Sequence, residues 1–309
     1  MKLSIVSTLY NSELTIRNFH KEIGLIANEY AGNDYEIIFV NDGSPDNSLS
    51  VAIELTKKDK NLHLIDLSRN FGHHKAIMTG LMHAKGDLVY LLDSDLEEDP
   101  KCFKIFLKKL KRDKLDMVYG VQEKRRGSFL DKISGLIFYK LFRFLTDINQ
   151  PNNILTIRLM TKKYVSSLIL HQEREINVGG LFIINGFKQT YEVVSKKNKS
   201  QTSYTFLNKL SHLINAITSF SNKPLMIIFL LGTITFFSSI LFLFYIFFLY
   251  IYKSPPDGYI SIIASIWFFS GLLIFVLGLN GLYLAKIFSE SKQRPYTIIK
   301  SIYKNGIEK

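Results

Sequence analysis

Apolar residues in the first 120 positions fall into short runs separated by longer mixed stretches. Leu3 to Leu9, Tyr35 to Val40, Leu62 to Leu67 and Leu88 to Leu92 have the length and composition of strands. The intervening stretches, roughly 12–30, 46–59 and 72–84, repeat their apolar positions at helical spacing. Strands alternating with helices require crossover connections, which predicts a mostly parallel α/β sheet with helices packed on its faces.

After Pro224 the pattern changes. Residues 225–252 and 259–285 carry no charge over 28 and 27 positions. At about 1.5 Å per residue, either helix could cross a hydrocarbon core of roughly 30 Å. Tyr245, Tyr250, Tyr252 and Tyr259 gather near one end of the pair, as aromatic residues do at a lipid–water boundary. Ahead of them Phe206, Leu207, Leu210, Leu213, Ile214 and Ile217 form a stripe at offsets of three and four, the signature of an amphipathic helix at an interface. The expected organisation is therefore a catalytic domain over 1–203, a juxtamembrane helix over 204–224, a two-helix hairpin over 225–285 and a basic tail over 286–309.

Charge orients this arrangement. Lys196, Lys197, Lys199, Lys209 and Lys223 precede the first span, and Lys286, Lys292, Arg294, Lys300, Lys304 and Lys309 follow the second. Both flanks, and so both termini and the catalytic domain, are expected on the cytoplasmic side. The formal charge of +12 suits an anionic lipid surface and phosphate-bearing substrates. Nucleic acid is not expected as a partner, since no aromatic-basic motif accompanies the charge. Met1 to Leu9 reads as a strand rather than a secretory peptide, and Cys102, the single cysteine, can form no internal disulfide. Gly232, Gly271, Gly278 and Gly281 in the spans leave self-association open.

In a parallel sheet, ligands collect beyond the carboxyl ends of the strands. The four strand ends here are polar: Tyr10-Asn11, Asn41-Asp42-Gly43-Ser44, Ser68-Arg69-Asn70 and Asp93-Ser94-Asp95. Gly43 and Pro45 are explained by turn chemistry, whereas the Asp42 carboxylate could also accept hydrogen bonds from a base or ribose. Asp93 and Asp95, two apart on an extended segment, can turn toward one ion. Hard oxygen ligands favour Mg²⁺ or Mn²⁺ over zinc. Glu97, Glu98 and Asp99 read as the acidic first turn of a helix beginning around Pro100. His73 and His74 read as capping and packing residues at a helix start, with a donor-phosphate contact as the alternative.

Taken in order, Ser4 to Asn11, Val40 to Ser44, Leu67-Ser68-Arg69-Asn70-Phe71-Gly72, Leu92 to Leu96, Val118 to Val121, Arg158-Leu159-Met160, Gly186 to Gln189 and Thr218 to Ser221 resemble a family 2 glycosyltransferase. The similarity is to members with a GT-A (Rossmann-like) catalytic domain and two carboxyl-terminal transmembrane helices, of the bacterial polyprenyl-phosphate type related to dolichyl-phosphate sugar synthases. The resemblance implies that Leu9 and Tyr10 line the nucleotide pocket, Asp42 contacts the base, Asp93 faces the ribose and diphosphate, and Asp95 is the principal metal ligand. It implies inverting transfer from a nucleotide sugar, UDP-glucose by default, to polyprenyl phosphate at the bacterial inner membrane. Such a product supplies sugar for polysaccharide modification across the membrane.

A phosphate acceptor is already ionised near neutrality and needs cations more than a base. Arg125, Arg126, Lys197 and, within the matched segment, Arg158 are the candidates. The chain departs from the family pattern at Thr8, usually Pro; at Ser12, usually acidic; at Asn41, usually Asp; and at Thr156, where close relatives often carry Asp. A lipid-linked glycan acceptor is the alternative, with Glu97, Glu98 or Glu175 as base. A membrane scaffold that has kept the fold is a second alternative.

Overall fold

The computed structural model describes residues 2–122, 153–171, 178–195, 223–228 and 258–308, with isolated positions 230, 234 and 241. Two compact units emerge, one holding the sheet together with Arg294–Lys309, the other extending to Gln293.

The first unit is a mixed α/β sheet with nine strands among the described residues. Strands β1 (Leu3–Leu9), β2 (Tyr35–Asn41), β3 (Leu62–Leu67) and β4 (Leu88–Leu91) are mutually parallel in the order β4-β1-β2-β3. Helices α1 (Ile16–Ala31), α2 (Ser48–Lys58) and α3 (His73–His83) make the crossovers that the periodicity predicts. Beyond β4 lie β6 (Ile154–Thr161), antiparallel to it, then β5 (Met117–Val121) and β7 (Gln189–Val193), with α4 (Cys102–Arg112), α5 (Lys162–Leu168) and α6 (Val178–Ile184) between them in sequence.

Alternation along β1 shows how the layers are built. Leu3, Ile5 and Leu9 join Phe19 of α1, Phe39 of β2 and Phe103 of α4 in one buried cluster. Phe19 and Phe39 pack with ring centroids 5.9 Å apart. Full burial of each such side chain contributes about 1.5–3 kcal/mol, so this face anchors the sheet. On the other face a β-carbon added at Gly80 of α3 would lie 2.5 Å from the Val6 side chain, so the helix packs there almost backbone to sheet.

Two sequence expectations change. The segment 286–309 is more than a basic tail: β8 (Ile299–Lys304) adds antiparallel to β3, and β9 (Ile307–Glu308) folds back on it. The Asn305-Gly306 turn has φ of 54° and 73°, a two-residue hairpin with the left-handed pair of a type I′ turn. This hairpin pairs the ladder groups that β3 would otherwise expose at an edge. Secondly, α4 starts at Cys102, so Glu97 and Glu98 precede it and are buried. Asp99 Oδ1 instead accepts the Lys101 amide in a short turn before the helix.

In the second unit, α7 (Tyr259–Ser291) runs for 33 residues. Among the described residues, no helix is long and apolar enough to cross a membrane. The juxtamembrane stripe at 206–217 and most of 225–252 lie outside the described residues.

Candidate active site

The carboxyl ends of β1, β2 and β4 meet at one rim. Asp93-Ser94-Asp95 turns just beyond the end of β4, with Ser94 buried and both carboxylates partly exposed. Ser94 Oγ donates to the Thr8 carbonyl at 2.9 Å and lies 2.9 Å from Ser12 Oγ, so the middle residue pins the tip to the end of β1. The Asp95 side chain accepts the Glu97 amide at 2.9 Å, and Leu96 between them takes φ of 59°, closing a tight turn.

Around this tip the loops hold one another. The Asn11 amide donates to Ser44 Oγ at 2.8 Å, and the Glu13 amide donates to Asp46 Oδ2 at 3.0 Å. Burial raises the Asp46 pKa, but hydrogen bonds from Ser44, Ser48 and the Glu13 amide overcome it and hold the group at about 2. Asp42 is buried, and its two oxygens accept the Phe71 and Gly72 amides at 2.7 and 3.0 Å. Desolvation raises its pKa against those two bonds. Its role in this structure is to fix the loop after β3. Gly43, at φ of 59°, sits so close that a β-carbon would be 2.4 Å from the Asn70 nitrogen.

The predicted nucleotide residues divide. Tyr10 is 48% exposed at the rim, whereas the Leu9 side chain is wholly within the core. Leu9 offers the site only its backbone, and its carbonyl accepts the Asp42 amide. Asn41, in place of the usual carboxylate, donates to Asp66 Oδ1 at 2.7 Å. An acid there would face another acid.

Arg158 lies on β6, paired in register with Leu91. It is buried, donates to the Leu155 and Thr156 carbonyls at 2.8 Å each, and stacks its guanidinium 3.6 Å from the Phe182 ring centre. Burial pulls its pKa down to about 10, with Tyr164, Glu98 and Asp93 opposing. The Thr156 amide donates to Glu98 Oε1 at 3.0 Å, so a carboxylate from the β4–α4 loop stands beside Thr156. Arg125, Arg126, Lys197 and Glu175 lie outside the described residues.

Sequence reasoning undervalued Thr8, Ser12, Ser94, Glu98 and His73. His73 opens α3 and faces the tip, with Nε2 3.5 Å from Asp93 Oδ1 and Nδ1 3.1 Å from Thr8 Oγ1.

Among the described residues, no group of three or more His, Cys, Asp or Glu side chains is gathered to hold a metal ion. The donor set nevertheless fits a hard divalent cation that takes its remaining ligands from phosphate and water. Asp93 and Asp95 offer partly exposed carboxylate oxygens on an anchored tip.

Residues 4–169 match glycosyl transferase family 2. This chain belongs to that family. It is 47% identical, over 98% of its length and 89% of the relative's, to a protein described as "Putative glycosyltransferases" in Mycobacterium tuberculosis. A "Bactoprenol glucosyl transferase" of Shigella phage SfV is 31% identical over 97% of this chain and 99% of its own. An "Undecaprenyl-phosphate 4-deoxy-4-formamido-L-arabinose transferase" of Shewanella sediminis is 28% identical over 97% and 92%. The family 2 chain is thus a nucleotide-sugar glycosyltransferase, and the rim at Asp93–Asp95 is its candidate active site.

Proposed function

We propose that this glycosyltransferase moves a hexose from a nucleotide sugar, UDP-glucose or a related UDP-hexose, to polyprenyl phosphate, with inversion, at the cytoplasmic face of a bacterial inner membrane. The observation that carries the reading is the anchored Asp93-Ser94-Asp95 tip at the rim of a parallel sheet, within a chain similar along its whole length to bactoprenol and undecaprenyl-phosphate sugar transferases.

Asp93 orients the ribose and diphosphate of the donor, and Asp95 would hold Mg²⁺ or Mn²⁺. When bound, such an ion stabilises the negative charge on the departing diphosphate. The acceptor phosphate arrives ionised, so its oxygen attacks the anomeric carbon without first losing a proton to the protein. Arg125, Arg126 and Lys197 are assigned to steering that phosphate.

Membrane attachment rests on two supports. Helix α7 carries Ile262, Ile266, Phe269, Leu273 and Leu277 on exposed positions spaced by three and four, along a stretch uncharged from 259 to 285. An exposed apolar stripe of this kind suits a lipid covering. In this reading 225–285 crosses the membrane twice, and the lysines that flank it favour the cytoplasmic side for both ends of the hairpin.

The test uses the full chain in lipid nanodiscs with Mn²⁺, a panel of UDP-, GDP- and dTDP-sugars, and a short polyprenyl phosphate. Nucleoside diphosphate release that requires the lipid phosphate, and that Asp95→Ala abolishes, is the expected result. Release that ignores polyprenyl phosphate but requires a lipid-linked glycan would overturn the acceptor. No release and no nucleotide binding with any donor would overturn catalysis altogether.

A further inference from the structure

The contacts around the acidic tip close on themselves. Thr8, at the end of β1, uses one oxygen on the tip and the other on His73. Its carbonyl accepts the Ser94 hydroxyl at 2.9 Å, and its hydroxyl lies 3.1 Å from His73 Nδ1. His73 Nε2 in turn stands 3.5 Å from Asp93 Oδ1, and Asp93 is bonded through the chain to Ser94. The circuit Thr8, His73, Asp93, Ser94 thus grips Asp93 from its backbone side and from its carboxylate side. Three other histidines have different partners: His20 pairs with Asp59, His83 bonds the Thr79 carbonyl within its own helix, and His63 lies at the opposite end of the strands beside Lys304.

We propose that His73 is a positioning residue for donor binding, held by Thr8 in one tautomer so that Nε2–H points at Asp93 and fixes its carboxylate for the ribose and diphosphate. The proposal rests on the role given to Asp93 under the proposed function. The chemistry of the three groups sets the direction of the hydrogen bonds. A carboxylate can only accept, so His73 must present Nε2–H to Asp93. In the neutral ring Nδ1 is then the acceptor, and the Thr8 hydroxyl is the donor. Thr8 therefore selects the tautomer, and the tautomer selects the Asp93 orientation.

At 3.5 Å the His73–Asp93 contact is an ion-pair approach longer than a hydrogen bond, and the proposal requires it to shorten when donor binds. His73 is 45% exposed, so its ring edge forms part of the rim and is within reach of a bound donor. Asp42 also helps to place the ring, since it accepts the Gly72 amide immediately before His73 and so fixes the loop that leads into α3. This arrangement gives Asp42, buried away from the surface, a route of influence on the donor through the residue it helps to place.

The experiment compares the full chain in detergent with Thr8→Val, His73→Ala, His73→Gln, His73→Asn and the Thr8→Val/His73→Ala double variant. Nucleotide affinity is measured by calorimetry with UDP, GDP and dTDP in the presence of Mn²⁺. His73→Ala is expected to weaken the nucleotide that binds by about tenfold, the loss of one hydrogen bond to a charged group. His73→Gln, whose amide nitrogen can replace Nε2–H, should recover to within about threefold, while His73→Asn, too short to reach, should not. Thr8→Val should weaken binding about threefold alone and add nothing in the His73→Ala background, because it acts only through the ring.

A second readout needs no ligand: ¹⁵N-histidine spectra should show His73 protonated at Nε2 in the wild type and a mixture of tautomers in Thr8→Val. If Thr8→Val weakens binding equally in both backgrounds, if His73→Gln is as weak as His73→Ala, or if the wild-type ring carries its proton on Nδ1, the circuit does not work as stated. If no nucleotide binds the wild type but the tautomer depends on Thr8, the orienting circuit stands and the donor reading of Asp93 falls.

Discussion

Arg158 allows the sharpest test of a structural role against a chemical one. Its position in a family-matched segment suggests a catalytic contact, yet its guanidinium is buried among Leu155 O, Thr156 O and the Phe182 ring. Its pKa of about 10, set mainly by burial, lies some 2–3 pH units below that of an ordinary arginine. At ~1.4 kcal/mol per pH unit, burying the charge costs the fold about 3 kcal/mol. The sign is unfavourable: a cation whose folded value is depressed opposes folding wherever it is charged, including neutral pH. Two charge-assisted hydrogen bonds at about 1.5–3 kcal/mol each, with a desolvated cation–π contact near ~2 kcal/mol, more than offset that cost.

Replacing Arg158 with Met keeps the length, removes the charge cost and loses the bonds, for a net loss of about 2 kcal/mol. In a domain of this size that corresponds to a melting temperature lower by about 4–8 °C. Alanine, which leaves a cavity as well, should cost about twice as much. The assay is thermal unfolding of the full chain in detergent, paired with KM for polyprenyl phosphate measured below the transition. A positioning role for β6 predicts loss of stability with KM within about threefold of wild type. Arg158→Met melting at the wild-type temperature while losing activity would refute the reasoning and return the guanidinium to the substrate.

Three other outcomes follow from particular contacts. Asn41→Asp, although it restores the usual family residue, replaces a hydrogen bond to Asp66 with a second carboxylate and should lower stability by about 1–3 kcal/mol at pH 7, read by chemical denaturation. Asp46, held near 2 when folded against ~3.9 unfolded, stabilises above pH ~4 and loses that contribution as pH falls toward 2. Because the group is partly solvated, Asp46→Ala should cost only about 1 kcal/mol at pH 7 and a small fraction of that at pH 2, and equal losses at both would refute the assignment. Deleting residues 294–309 should expose the β3 edge, lowering the melting temperature and producing concentration-dependent aggregation seen by light scattering.

The parallel half of the sheet was legible in the sequence because each strand there is a local apolar run, and each crossover helix repeats its own apolar face. Leu3–Leu9 and Tyr35–Asn41 are complete signals within seven residues. The C-terminal hairpin was not, although Asn305-Gly306 is a recognisable turn. β8 has value only as the partner of β3, over 230 residues earlier in the chain, and a segment such as Ile299–Lys304, rich in lysine, reads as a tail until that edge is known.

The same distinction separates the legible from the hidden parts of the site. Asp93 and Asp95 announce themselves by type and by the strand before them. Thr8, Ser12, Asn41 and Thr156 looked like four separate losses against the family pattern, and the structure gives three of them partners drawn from elsewhere in the rim: Thr8 with His73 and Ser94, Ser12 with Ser94, and Asn41 with Asp66. At the fourth, the Thr156 amide meets the buried Glu98 carboxylate. Each of these contacts joins two separate segments of the chain, so neither segment shows it alone. It follows that restoring one family residue at a time, as in Asn41→Asp, should impair this protein, whereas exchanging both members of a pair should be tolerated.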